Sequence, residues 1–388
     1  MTSRFISKRA RELSPFHVMD ILAQAKQLSA QGRVIHHLEI GEPDFATATP
    51  IVDAGVAALR QYETHYTPAL GLTELRQAIA DYYHAKFNVT VDAQRVVISP
   101  GASGAIQLAL SCLLDAGQNV LLSDPGYPCN KNIAQVLACE TQAVPSNASS
   151  FYQLNAEMVE AYWNDDTRAA MVATPSNPTG TVLPVDQLKA LYQSVSAKGG
   201  RLIVDEIYQG LTYDIRDYTA LEICDEIFVI NSFSKYFGMT GWRVGWMVVP
   251  DYYVDAIDRI AQNIFLAAPT IAQHAAIIAL QPETQHLLDE RRDEFKKRRD
   301  FLLPALQQLG FDIKVEPKGA FYIYANCEMF TDDSFLWVQQ LLQQQGVALT
   351  PGIDFGKHQA NKYCRFAYTQ SIDVLEQAVE KIAAFIKQ

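Results

Sequence analysis

From Arg95 onward, short apolar runs rich in β-branched residues alternate with longer stretches in which apolar positions recur every three or four residues. The runs "RVVIS", "NVLLS", "AAMVAT", "RLIVD" and "IFVIN" have strand length, and between them "SGAIQLALSCLL", "CNKNIAQVLA" and "PVDQLKALYQSVSA" carry helical spacing. Strands that are apolar at nearly every position have to be covered on both faces. The alternation therefore predicts an α/β protein with a mainly parallel sheet sandwiched by helices. Nearer the C-terminus "GAFYIYANC" and "KYCRFAY" predict strands, and "SFLWVQQLLQQQG" an amphipathic helix. No fixed-period repeat or low-complexity segment interrupts this order, and "PSNASS" around Pro145 reads as a loop.

The chain has 388 residues, 49% of them apolar, enough to bury a large core in two or three domains at the usual rate of about 100 to 200 residues per domain. A net charge of −11 with no basic run speaks against nucleic acid or an anionic membrane surface as the partner and leaves small molecules. The six cysteines, at 112, 129, 139, 224, 327 and 364, form no C-x-x-C pair and are too scattered for a disulfide framework. Free thiols in a reducing compartment are expected. Arg4, Lys8, Arg9 and Arg11 would suit the start of a signal peptide, but Asp20 and Lys26 break the apolar stretch behind them. With no unbroken apolar run of about eighteen residues either, the expectation is a cytoplasmic protein that spans no membrane.

In parallel sheets ligands bind just beyond the carboxyl ends of the strands. Here those ends are chemically loaded. After "RVVIS" comes "PGASGA", a tight turn opening a helix whose first N–H groups suit an anion. After "AAMVAT" comes "PSNPTG", after "RLIVD" comes "EIYQG", and after "IFVIN" comes "SFSK", so an amide, a carboxylate, a phenol and an amine share one edge.

Familiar alternatives fit poorly. There is no G-x-G for a nicotinamide fingerprint. "GIDFGK" has three residues between Gly352 and Gly356, and His358 stands where a P-loop needs a hydroxyl. "GASGA" approximates a nucleophile elbow with Ala105 in place of the last glycine, but no histidine motif supplies a base. His36–His37 lacks metal-ligand spacing.

"SFSKYFGMTGWRVG" resembles the lysine signature of the class I and II aminotransferases of pyridoxal-phosphate fold type I, a family that includes the aspartate aminotransferases. It is joined in order by "EIGEPDF", "YTPALGLTELR", "PGASGAIQLAL", "DPGYP", "SNPTG", "DEIY" and "CRFAY", so the resemblance covers essentially the whole chain. It implies pyridoxal 5′-phosphate as cofactor and a ping-pong exchange of an amino group between an α-amino acid and a 2-oxo acid. Lys235 would be the Schiff-base and proton-shuttle residue, its amine kept partly deprotonated by nearby positive charge such as Arg243. Asp205 would hold the proton on the pyridine nitrogen, and Tyr208 and Asn177 would bond the phenolate oxygen. Ala102, Ser103, Ser232, Ser234 and Arg243 would hold the phosphate, with Tyr66 reaching it from the neighbouring subunit of a homodimer with shared active sites. Tyr127 would stack on the ring. Arg365 would clamp the substrate carboxylate, helped by Asn177 and the Gly41 backbone. Without the family, Arg365 would read as a surface salt-bridge residue.

The family layout divides the chain into an N-terminal arm, residues 1–46, a large cofactor domain, 47–280, and a C-terminal part, 281–388. Arm and C-terminal part together would make a smaller α+β domain that closes on substrate and excludes water. Relatives selective for dicarboxylic acids use a further cation, in one subgroup within the turn where this chain has Ser103 and Gly104, so neutral side chains are favoured. Arg4, Arg11, Lys26 or Arg33 could still supply one, which keeps aspartate open. Two other readings share the cofactor constellation: a C–S β-lyase, and a non-catalytic regulator, which would need a DNA-binding domain larger than the first forty-five residues provide.

Overall fold

The computed structural model of the chain describes residues 6–13 and 15–387. Its strands are β1 (His36–His37), β2 (Val96–Ser99), β3 (Asn119–Asp124), β4 (Glu140–Pro145), β5 (Thr167–Ala173), β6 (Arg201–Asp205), β7 (Phe228–Ser232), β8 (Gly245–Val248), β9 (Tyr322–Asn326), β10 (Val347–Ala348), β11 (Thr350–Pro351) and β12 (Tyr363–Ala367). Seven of them form one sheet in the order β2-β8-β7-β6-β5-β3-β4. All neighbours in it are parallel except β8, which runs against both β2 and β7.

The apolar runs that predicted this sheet divide their side chains between two separate cores. Ile98, Leu121, Val172, Val204 and Val229 join one cluster, while Val97, Val120, Met171, Ile203 and Ile230 join the other. A strand turns successive side chains to opposite faces, so a run with no polar residue can rest only between two covering layers. The helices Gly101–Leu113, Pro128–Val136 and Val185–Ala197 fall on the three helical stretches.

Two strands had no such signature. β4 carries Glu140, Thr141 and Gln142 at the sheet edge, where one side has no neighbour and apolar content is not needed. β8, "GWMV", lies inside the lysine signature and is too short to stand out. "PSNASS" is a loop only in part, since Pro145 closes β4 and Ala148–Ser150 forms a 3-10 turn. All six cysteines are free.

β9, β12 and β11 form a three-stranded antiparallel sheet beside the helix Ser334–Gln345, which Asp333 caps through the amides of Phe335 and Leu336. The N-terminal residues dock on this C-terminal part. β1 pairs in parallel with β10, and Leu38 continues the ladder by donating to Ala348 O and accepting from Ala367 N. Arg298 ties the two further, donating to Asp44 Oδ1 at 2.8 Å and to Thr369 O at 2.9 Å. Among the described residues no helix is long and apolar enough to cross a membrane.

Candidate active site

The carboxyl ends of β2, β5, β6 and β7 open into a cavity of about 340 Å³. Its wall brings together Gly41, Ala102, Ser103, Tyr127, Asn177, Asp205, Tyr208, Ser234, Lys235, Arg243 and Arg365, residues spread over more than three hundred positions of sequence. Two candidates stand apart. Ser232 ends β7 one layer behind the wall, where its hydroxyl donates to Ser234 Oγ at 2.9 Å. Tyr66 lies outside the cavity and is 81% exposed.

Lys235 follows β7 and turns inward, donating to the Gly41 carbonyl at 2.6 Å. Its pKa is lowered to about 8. Burial is the main cause, and Arg365 and Arg243 add to it against the opposing pull of Glu42 and Asp205. Nearby positive charge such as Arg243, the cause inferred from sequence, does contribute but is secondary to burial. Asp205, at the end of β6 and only 5% exposed, is raised to about 6 by burial, against an N–H bond from Ile207 at 3.0 Å and the nearby Lys235.

The helix start beside the cavity is suited to an anion through its backbone. The helix Gly101–Leu113 has no side-chain cap, so its first amides are free to meet a ligand. Gly101 has φ +71°, and a Cβ there would lie 2.5 Å from Arg243 Nη2; only glycine lets the guanidinium come this close to the helix start. Arg243 also donates to Thr240 O at 3.0 Å and approaches Ser234 Oγ at 3.5 Å.

Arg365 is 3% exposed, which removes the surface salt-bridge reading. Nη1 donates to Asn177 Oδ1 at 2.9 Å, and Nη2 to Thr350 Oγ1 at 3.1 Å and to the Glu39 carbonyl. All these partners are neutral, and Nε has none. β12 carries this arginine, and its pairing with β11 sets Thr350 directly opposite.

Sequence reading missed several residues here. Tyr322 on β9 shares a hydrogen bond of 2.8 Å with Tyr208, and its ring lies 4.3 Å from the Arg365 guanidinium. Nothing in "GAFYIYANC" separates it from the neighbouring aromatics. Gly41 is its counterpart, since a Cβ at that position would fall within 1.9 Å of the Tyr322 hydroxyl oxygen. Phe16, Val18, Met19, Leu22 and Ile40 also line the cavity and make one side of it apolar. The arm was expected to join the domain that closes on substrate, but only its cations were weighed for the site, and these apolar residues carried no signal that set them apart. No cluster suited to a metal ion occurs among the described residues.

An amine of lowered pKa, a buried acid, an uncapped helix start beside an arginine and a buried guanidinium share one cavity, an arrangement suited to an enzyme that works on carbonyl and amino groups. The family model "Aminotransferase class I and II" matches residues 34–382, and the chain belongs to that pyridoxal-phosphate-dependent family. It is 36% identical over 386 residues, 99% of this chain and all of the relative, to the (5-formylfuran-3-yl)methyl phosphate transaminase of Methanocaldococcus jannaschii. It is 37% identical over 375 residues, 96% of each chain, to the valine–pyruvate aminotransferase of Mycobacterium tuberculosis. The crystal structure of Thermus thermophilus aspartate aminotransferase with maleate superposes with a TM-score of 0.92 at 29% identity, covering 98% of this chain and 99% of that one. The protein is an aminotransferase with the aspartate aminotransferase-like fold.

Proposed function

We propose that the enzyme holds pyridoxal 5′-phosphate through Lys235 and moves an amino group, in two half-reactions, from an α-amino acid with an apolar side chain to a 2-oxo acid. When bound, the cofactor supplies an aldehyde carbon for the amine and a ring that withdraws electrons from the substrate α-carbon. The residues present fit it. Arg243, Ser234 and the amides of Ala102 and Ser103 suit its phosphate, Tyr127 its ring face, Asp205 its ring nitrogen, and Tyr208 with Asn177 its phenolic oxygen. Lys235 Nζ, whose pKa of about 8 leaves a minor but usable share of the amine unprotonated near neutrality, is the base that takes the proton from the substrate α-carbon.

One observation carries the reading: the Arg365 guanidinium is buried in the same cavity as Lys235 with only neutral partners and an unbonded Nε. A buried cation with no acid bonded to it is costly, and a substrate carboxylate supplies a bonded charge through two parallel bonds. The apolar preference is supported by the remaining wall. Among the described residues the lining cations are Lys235, Arg243 and Arg365, each already engaged by the proposal, and none is left for a second carboxylate. Arg11, Lys26 and Arg33 do not line the cavity, and Arg4 lies outside the described residues. The relative named for valine and pyruvate points the same way.

A cytoplasmic homodimer completes the proposal. Val52, Val56 and Leu59 form an exposed apolar stripe on the helix Thr49–Arg60, close in sequence to the exposed Tyr62 and Tyr66. A second copy covering this stripe would bring Tyr66 to the neighbouring cavity. We also take residues 47–280 as the cofactor domain and residues 1–46 with 281–388 as the smaller one, a division supported by the β1–β10 pairing.

The test is borohydride reduction of the holoenzyme followed by peptide mapping, together with single half-reactions from valine, leucine and aspartate. A reduced adduct on Lys235 and faster reaction with valine or leucine are expected. An unmodified Lys235, a preference for aspartate, or release of pyruvate and ammonia in place of a new amino acid would overturn the reading.

A further inference from the structure

The helix His17–Ala30 begins without a cap of its own. Phe16 holds the capping position and offers no side-chain acceptor. The amides of His17 and Val18 donate instead to Oδ1 and Oδ2 of Asp354, each at 2.8 Å, across 337 and 336 residues of sequence. Asp354 is 8% exposed and closes the turn Gly352–Asp354 directly after β11. A carboxylate at a helix N-terminus satisfies orphaned amides and meets the positive end of the helix dipole, so this contact sets where the helix starts.

What the helix start sets is one side of the cavity. Val18, Met19 and Leu22 project into it from the first two turns, beside Phe16. The other end of the same short segment belongs to the carboxylate clamp, because Thr350 accepts from Arg365 Nη2 and donates to the Glu39 carbonyl. Residues 350–354 thus join the guanidinium at one end of the substrate site to the apolar wall at the other.

We propose that Asp354 is a positioning residue for side-chain recognition, docking the arm helix at a fixed distance from Arg365 and so setting the depth available to an apolar substrate side chain. The proposal rests on the reading of the cavity as a substrate site given above. Asp354 touches no reacting atom and makes no bond to Arg365, although it lies near enough to feel that charge. Its effect is therefore expected chiefly on donors long enough to reach Val18, Met19 and Leu22.

The experiment compares alanine, whose single methyl stops short of the wall, with leucine, which reaches it, as donors in half-reactions of the holoenzyme. Asp354→Ala is expected to raise the KM for leucine tenfold or more, leave both constants for alanine within about twofold, and keep the cofactor absorbance of the wild type. Asp354→Asn, which retains one acceptor, should recover part of the loss. His17→Pro removes one donor, together with the His17 ring that packs 5.0 Å from Phe335, and leaves Asp354 in place; proline is tolerated in the first helical turn, and Phe16, at φ −98° and ψ 99°, already has the extended backbone that a following proline requires. It should reproduce a smaller leucine-selective loss and stands in if Asp354→Ala fails to fold. Equal losses for both donors, or an unchanged leucine KM in all folded variants, would overturn the proposal. A wild-type enzyme that takes neither donor would sink the substrate reading and this proposal with it, whereas one that prefers leucine while the variants do so equally sinks only the role of Asp354.

Discussion

Tyr208 and Tyr322 meet hydroxyl to hydroxyl at 2.8 Å, one from the turn after β6 and the other from β9, and both rings are buried. This bond fixes the Tyr208 hydroxyl at the cavity wall while the Tyr322 ring covers the Arg365 guanidinium. Tyr322→Phe keeps the ring and removes the bond. Loss of one neutral hydrogen bond that orients the Tyr208 hydroxyl costs roughly 1 kcal/mol, so kcat/KM is expected to fall about fivefold, with a displaced cofactor absorbance maximum. An unchanged spectrum and rate would show that Tyr208 is held by other contacts.

The lowered pKa of Lys235 sets a pH dependence for cofactor capture. In the proposed role the free amine is the nucleophile, and its fraction rises with pH until the folded-state pKa is passed. The second-order rate of attachment of added pyridoxal phosphate to the apoprotein should climb tenfold per pH unit below about 8 and level off above it. Stopped-flow absorbance between pH 6.5 and 9.5 measures this. A climb that continues past pH 9 would mean that burial does not depress the amine.

Arg365→Lys retains the charge and loses the fork. A lysine cannot bond a carboxylate through two parallel N–H groups while also meeting Asn177 and Thr350. The KM for the amino donor should rise roughly 10- to 100-fold, a loss of about 1.5–3 kcal/mol for charged hydrogen bonds. The kcat should change much less. Equal losses in both constants would assign Arg365 to the chemical step.

Glu206 gives a stability prediction independent of the reaction. It is 1% exposed, accepts from Ala220 N at 2.6 Å and Gln209 Nε2 at 2.8 Å, and has its pKa raised to about 8 by burial. The folded state therefore binds a proton more tightly than the unfolded state. Its contribution to stability is present below the unfolded value of about 4.5 and is lost as pH rises through about 8. Glu206→Gln removes this titration, so the drop in Tm between pH 5.5 and 8.5 should be smaller in the variant than in the wild type. Equal drops would mean that Glu206 is ionised in both states.

Much of the molecule is legible in its sequence. Runs such as "RLIVD" and "IFVIN" allow only a doubly covered strand, and the residues after them had to occupy one edge. Asp205, Lys235 and Asn177 were singled out for that reason, and each lies within a few positions of a strand end and lines the cavity. β4 was not legible, because an edge strand needs no apolar content.

The sequence by itself determined the sheet, the rim of reactive groups and the family, since each depends on residues close together along the chain, where spacing and side-chain type are enough. Only the tertiary structure decided that Tyr322 backs Tyr208, that burial more than Arg243 lowers the Lys235 pKa, and that Asp354 caps a helix more than three hundred residues away. Those contacts depend on which surfaces meet when the arm and the C-terminal part fold over the sheet edge. No local pattern records that meeting, because a hydroxyl or a carboxylate looks the same in sequence whether its partner is water or a distant amide.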